Sequence, residues 1–337
     1  MNDSVDLVVL PLVNACIFCD GETRTAFALW DGERYRRCRC CSSLQIEKRP
    51  QIETTKKHYE VGYDNRPPDV IGAAIAAHYE KATSFAASET LGSMLECGAG
   101  YGAWSRLRAS KGWTVSVIEP AETAANVLKR EFHYVGADLS EVKVDSNFDE
   151  VVEAHVFEHV SDPAEHLMAL AASLKPGGVI RLITPNANAW KCRLLGPLWL
   201  WVLTEHLQIA SESGLRVLAM KSGLEILACQ STTPPPEGYP GLVMGIVSWL
   251  KNQLKGRLTR GQSIPESSIS QPVTAEVDSA PPLSGRKGRL SALFLLLARW
   301  SAVEARWLAP FERRMCLRMA GDELVLIARR PSGQSIR

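Results

Sequence analysis

Three groups of residues have the types and spacings that chemistry needs. The first is Cys16-x-x-Cys19 with Cys38-x-x-Cys41, two thiol pairs separated by 18 residues. That spacing belongs to a ribbon in which two tight knuckles offer four thiolates to one tetrahedral zinc ion. Four thiolates leave no coordination position open, so the ion would be structural. Cys40 is a surplus thiol that could replace Cys38 or Cys41. The second group is Glu96-Cys-Gly-Ala-Gly-Tyr-Gly102, where glycines at 98, 100 and 102 follow a short apolar run. Glycine tolerates positive φ and lets a ligand approach the backbone. The third group is His155, His159 and His206, each a potential general base near neutral pH. A metal pair from Glu158 and His159 is disfavoured, because adjacent residues rarely face one ion.

The elements that must position these groups can be read from hydrophobic pattern. Strands are expected at Ser93–Cys97, Thr114–Glu119, Tyr134–Gly136, Glu150–Ala154, Val179–Thr184, Leu224–Cys229 and Glu323–Arg329. Helices are expected at Ile71–Ser88, Ala103–Lys111, Ala121–Phe132, Pro163–Leu174 and Ser211–Lys221. Regular alternation of strand and helix argues for an α/β, Rossmann-like doubly wound sheet with helices on both faces. Ligands of such sheets bind at the carboxyl ends of the strands.

Two ligands suit the glycine turn. Gly98-x-Gly100-x-x-Ala103, with Glu119 placed 21 residues after Gly98, fits a dinucleotide fingerprint. Glu96, by contrast, suits a cationic amino-acid ligand such as S-adenosylmethionine and would repel a pyrophosphate. Asp138, after the third strand, is placed to accept a hydrogen bond from an adenine amino group.

Taken together, the Glu96–Gly102 loop, Glu119, Phe157-Glu-His-Val160 with Asp162-Pro163, and Leu174-Lys-Pro-Gly-Gly178 resemble the class I S-adenosylmethionine-dependent methyltransferases. The likeness is to the group holding the ubiquinone-biosynthesis and natural-product O-methyltransferases, over about residues 91–230 and the closing strand. It implies a seven-stranded sheet whose last strand runs antiparallel. It places the methionine part of the cofactor against Glu96, Gly98, Gly100 and Gly102, the ribose on Glu119, and adenine near Asp138. Trp199 to Gln208 is similar to the family's Trp…Pro-x-His-Leu segment, with Thr204 where proline is usual. His206 is therefore the first candidate for acceptor-side work and His159 the second, against the plainer role of bracing a loop.

The expected organisation is a zinc ribbon over 1–50, a connector and first helix over 51–90, and a cofactor-binding core over 91–233. A helical insertion over 234–320, with a mobile Ser/Pro-rich loop at 261–288, precedes the last strand and tail at 321–337. The chain of 337 residues has a net charge of +1, but residues 241–320 hold twelve Lys/Arg against five Asp/Glu, which leaves the remainder at −6. An acidic core and ribbon argue against nucleic acid as partner, and Arg34, Arg36, Arg37 and Arg39 read as a solvated face. The insertion's apolar runs, Gly241–Leu254 and Leu290–Trp300, are basic-edged and too short to span a bilayer. They fit a lid, a homodimer interface or a peripheral contact with the inner face of a membrane. The opening Met1-Asn2-Asp3 carries no export signal, so a cytoplasmic location is expected.

The expected function is methyl transfer to oxygen on a small molecule, sugar or lipid-linked glycan. The rivals are a ribosomal-RNA methyltransferase, an NAD-dependent dehydrogenase and an inactive zinc-ribbon interaction protein.

Overall fold

The computed structural model describes residues 15–29, 32–48, 70–84, 91–142, 148–234 and 307–332. The expected connector at 51–69, the apolar runs Gly241–Leu254 and Leu290–Trp300, and the 261–288 loop lie outside the described residues.

A seven-stranded sheet holds the core. Its strands are β4 (Ser93–Cys97), β5 (Thr114–Ile118), β6 (His133–Gly136), β7 (Phe148–Ala154), β8 (Leu174–Pro185), β10 (Glu225–Thr232) and β11 (Glu323–Arg329). They lie in the order β10-β11-β8-β7-β4-β5-β6, with β11 antiparallel to both neighbours and β4, β5, β6, β7 and β8 parallel. Parallel strands are covered on both faces, which explains why successive residues of β5, from Val115 to Ile118, are all buried. From β4 the chain steps outward through β5 and β6, then returns to the other side of β4 through β7 and β8. The gap between β4 and β7 is therefore the topological switch point, where ligands of such sheets bind.

Among the helices are α1 (Val70–Thr83), α2 (Ala103–Ser110), α3 (Glu122–Leu128), α4 (Pro163–Ala172), α5 (Trp190–Leu195) and α6 (Glu212–Lys221). Sequence chemistry sets their ends. Asp162 caps α4, its Oδ1 accepting from Ala164 N at 2.9 Å and Glu165 N at 3.0 Å, with Pro163 in the first turn. Ser211 caps α6 through Gly214 N at 3.0 Å.

Several expected boundaries move, two of them for a visible reason. The helix expected to reach Phe132 ends at Leu128, because Arg130 N and Glu131 N bond back only three residues, to Val127 and Leu128, tightening the last turn. The fifth core strand starts at Leu174 rather than Val179. Leu174 pairs with Phe148, and Lys175-Pro-Gly-Gly178 forms an irregularity inside the ladder. A Cβ on Gly178 would sit 3.0 Å from the Phe148 carbonyl oxygen, so a larger residue would press on the backbone there.

The cysteine-rich segment does not stand apart from the core. β1 (Thr23–Ala28), β2 (Arg34–Cys38) and β3 (Leu44–Ile46) form an antiparallel sheet that takes β9 (Gln208–Ile209) as its fourth strand. β9 lies between α5 and α6 of the core, so the two sheets are built from interleaved parts of the chain. Sequence pattern missed β9 and α5, both too short for periodicity to register.

Candidate active site and cysteine cluster

The glycine turn sits at the carboxyl end of β4, where the switch point demands it. Gly98, Gly100 and Gly102 all have positive φ, at 69°, 55° and 78°. The turn hangs on β5: Gly98 N and Ala99 N donate to the Ile118 carbonyl at 2.9 and 3.1 Å. A Cβ on Gly98 would lie 2.3 Å from Val156 Cγ2, so the loop after β7 packs directly on the turn.

Two buried carboxylates flank the turn. Glu119 accepts from Gly100 N at 2.7 Å and from Ala121 N at 2.8 Å. Burial lifts its pKa above the usual range, although both N–H donors pull the other way. Glu96 bonds the Ser105 hydroxyl. Burial raises it to about 7, opposed by the Ser105 bonds and reinforced by the Glu119 charge. A flexible-backbone turn between two acids fits S-adenosylmethionine, whose ammonium and sulfonium are cationic and whose ribose offers hydroxyls. It suits a pyrophosphate less, because Glu96 in its anionic form would repel one.

Glu96 supplies a pH test. Below about pH 7 its carboxyl is neutral, and above that it is an anion. A cationic ligand favours the anion, so S-adenosylmethionine should bind more tightly as pH rises from 6 to 8. Binding near pH 6.5 should release a proton, which calorimetry in buffers of different ionisation enthalpy would measure. An affinity flat across this range would separate Glu96 from the cofactor.

Asp138 is placed differently from the other cofactor candidates. It is exposed and caps the short turn Leu139–Glu141, its Oδ1 accepting from Ser140 N at 2.9 Å while Glu141 reaches back to Asp138 N. Cys97 is buried, and burial pushes its thiol well above the ordinary range.

Beyond the turn, the loop after β7 assembles the histidines. Glu158, His159 and His206 bring one ligand atom each within 4.8 Å of one another. Adjacent residues were expected to point apart, yet an atom of each reaches His206, which arrives from the Trp199–Gln208 segment. His159 Nδ1 meets the Glu205 carbonyl at 3.0 Å and His206 Nδ1 meets the Trp201 carbonyl at 2.7 Å. A carbonyl only accepts, so each Nδ1 carries the proton and each Nε2 keeps its lone pair. Burial, with the neighbouring His206 adding to it, lowers His159 to about 4, and burial also lowers His206. Both rings are therefore neutral at pH 7, the state of a general base or a metal ligand.

His155 plays another part. Its backbone has φ 56°, unusual for a non-glycine residue. Its ring stacks on Trp201 with centroids 4.4 Å apart, and bonds Glu158 at 3.1 Å and Glu323 at 2.8 Å. Burial opposes its charge, but the two carboxylates outweigh that and hold its pKa up to about 10. The imidazolium in turn helps hold Glu158 down to about 2 against the effect of burial. Thr184 donates to the other Glu158 oxygen at 3.0 Å, and His78 meets Glu323 at 3.1 Å. His155 is thus a fixed cation rather than a base. Its partner Glu323 lies 168 residues away, a distance at which no local motif could have paired them.

The first thiol group also converges. Cys16, Cys19, Cys38 and Cys41 bring their sulfurs within 4.8 Å of one another, with Cys16–Cys41 at 3.6 Å and Cys19–Cys38 at 3.5 Å. Cys40 N and Cys41 N donate to Cys38 Sγ at 3.3 and 3.4 Å, the bonding of a thiolate knuckle. Bonds with Cys16 and Ser43 pull Cys41 down to about 4 despite burial. Cys40 is exposed and outside the cluster, so Cys38 and Cys41 complete the set. The four cysteines could hold a zinc ion.

Comparison with known proteins bears on the fold and the cofactor. A methyltransferase-domain family profile matches residues 72–228. Over 104 residues the chain is 29% identical to a ubiquinone biosynthesis O-methyltransferase of Stutzerimonas stutzeri, and over 105 residues 32% identical to one of Thiobacillus denitrificans. Each match takes in 28% of this chain and 45% of the relative, so the chain spans less than half the length of the curated proteins it matches. Among solved structures, a putative sarcosine dimethylglycine methyltransferase from Galdieria sulphuraria superposes with a TM-score of 0.44 at 16% identity, covering 76% of this chain and 85% of that one. With the strand order, the glycine turn and its two acids in place, this chain carries a class I S-adenosylmethionine-dependent methyltransferase domain.

Proposed function

We propose that the protein moves a methyl group from S-adenosylmethionine to a hydroxyl oxygen of a small molecule, sugar or lipid-linked glycan. One observation carries the reading: two neutral histidines and an anionic glutamate meet where the loop after β7, whose Val156 packs on the glycine turn, approaches His206. The bound cofactor supplies a methyl group on a sulfonium, already a good electrophile, so the protein's task is alignment, exclusion of water and removal of the hydroxyl proton. His206 Nε2 is the first candidate to take that proton and His159 the second, while His155 keeps Glu158 ionised and in place. Glu158, His159 and His206 also suit a divalent cation, which would acidify a hydroxyl. Their Nδ1–carbonyl bonds are the outer support such ligands carry. Glu96, Glu119 and the turn would hold the cofactor, Asp138 standing near its adenine, and the four cysteines a structural zinc.

The test is transfer of tritiated methyl from S-adenosylmethionine into fractionated lysate. Label should enter the lipid or glycan pool, and His206→Ala should cut it by about 10²–10⁴-fold, the range of general-base contributions. Label confined to the RNA or protein pool would overturn the acceptor class.

A membrane-surface contact fits this acceptor. Among the described residues, no helix is long and apolar enough to cross a membrane. The helical residues 307–317, however, expose Trp307 (81%), Phe311 and Leu317 (88%) beside exposed Arg313, Arg314 and Arg318. Phe311 packs on Trp190 of α5, whose Leu194 is exposed too. Exposed apolar side chains interleaved with arginines suit the surface of an anionic bilayer. The protein should sediment with phosphatidylglycerol vesicles and not with phosphatidylcholine, and Trp307→Ala with Leu317→Ala should abolish this. Unchanged sedimentation of the double variant would reject the contact.

A further inference from the structure

The cysteine ribbon and the histidine cluster are remote in sequence and joined in space. β3 pairs with β9, and β9 begins two residues after His206. Tyr35, on β2, is fully buried, and its hydroxyl faces two carbonyls, those of Leu203 at 2.8 Å and of His206 itself. On the opposite flank Phe18, inside the first knuckle, meets the Phe157 ring at 6.3 Å, and Phe157 immediately precedes Glu158. Gln208 then ties the two flanks together, its amide donating to the carbonyls of Phe157 at 2.6 Å and Val160 at 2.9 Å. The second knuckle is anchored nearby: Ser43 and Ser211 hydroxyls lie 2.9 Å apart, and Ser213 donates to the Cys41 carbonyl at 2.9 Å. The glycine turn is held by different partners, the Ile118 carbonyl and Glu119.

We propose that the ribbon is the positioning wall of the acceptor half of the active site, with Tyr35 setting His206 and Phe18 setting the Glu158–His159 turn. The cofactor half is built without it. A ribbon that only stabilised the fold could dock anywhere on the sheet. This one grips the two segments that carry the histidine cluster, from both sides, and places a buried hydroxyl on the backbone of His206. The inference rests on the reading of that cluster as the acceptor side. Tyr35 touches neither cofactor nor acceptor, so it is a positioning residue.

Two variants of the full chain, labelled with nitrogen-15 at histidine, test it. Tyr35→Phe removes the hydroxyl but keeps the ring that packs on Phe27 at 5.6 Å. Phe18→Leu shortens the contact with Phe157. Nitrogen–proton correlation spectra report which ring nitrogen of each histidine is protonated. Tyr35→Phe should shift or broaden the His206 signals most, and Phe18→Leu those of His159. Calorimetric affinity for S-adenosylmethionine should stay within about twofold of the parent, a change under about 0.5 kcal/mol. Unchanged histidine signals in both folded variants would overturn the proposal, as would a parallel loss of cofactor affinity, which a purely structural role predicts. Failure of the methyltransferase reading would look different, because the parent protein would then bind no S-adenosylmethionine.

Discussion

Gly98→Ala should reduce S-adenosylmethionine affinity by about a hundredfold while leaving the rest of the fold intact. Two effects combine. A residue with a Cβ held at φ 69° is strained by ~1–2 kcal/mol, about a tenfold change by itself. The new Cβ would also fall 2.3 Å from Val156 Cγ2. Relief requires the turn to back away from the β7 loop, or Val156 to leave its place beside His155. Either movement spoils the surface between Glu96 and Glu119 on which the cofactor would lie. Gly223→Ala is the matched control. Its φ of 75° carries the same kind of strain, but nothing lies within 4 Å of its Cβ and it follows α6, away from the turn. Calorimetry should show near-parental affinity for Gly223→Ala; equal losses in both variants would mean that strain, not the Val156 contact, governs binding.

Removing one of the four cysteines proposed to hold zinc should have the largest effect on stability. Cys38→Ser deletes the sulfur that accepts two backbone N–H bonds and stands 3.5 Å from Cys19. Structural zinc sites in small domains contribute about 10–16 kcal/mol of apparent binding energy at pH 7, most of it expressed as folding. Bound zinc should fall from about one per chain to none, as structural four-thiolate sites require all their ligands. The melting temperature should fall by more than about 10 °C, since each kcal/mol is worth about 2–4 °C in a protein of this size class. Because β3 pairs with β9, the loss should spread to the loop holding His206 rather than stay in the ribbon. Cys40→Ser is the control: an exposed thiol outside the cluster, its loss should leave both zinc and melting temperature unchanged. Full zinc retention in Cys38→Ser would remove Cys38 from the ligand set.

The sheet was legible in the sequence because its strands are buried on both faces and separated by helices with clear caps. Ser93–Cys97 and Glu323–Arg329 lie where the apolar runs put them. The glycine turn was legible for a related reason: its conformation needs glycine, so the backbone writes itself into the residue types. What sequence could not show was closure across the chain. The bonds from His155 to Glu323, from Tyr35 to Leu203 and from Gln208 to Phe157 join residues with no common period or motif. The Glu158–His159–His206 group could not be read because its third member comes from a distant segment of the chain. Asp138 lies after β6, and its immediate neighbours form a capping box that its place in the sequence does not reveal.

The position of β11 has a consequence for how the molecule is made. β11 lies inside the sheet, between β8 and β10, yet Gly321, at its threshold, comes 90 residues after its neighbour Ser231 on β10. At translation rates of about 5–20 residues per second, the interval is on the order of ten seconds. During it, the ribosome-bound chain carries a bare β8 edge and a β10 with no strand to join, an invitation to pair with another nascent chain. Glu323 arrives only at the end of that interval and brings the second carboxylate of His155 with it. The sheet and the charge network beside the histidine cluster are therefore completed in one late event, and slower translation of residues 232–320 should lengthen the vulnerable period.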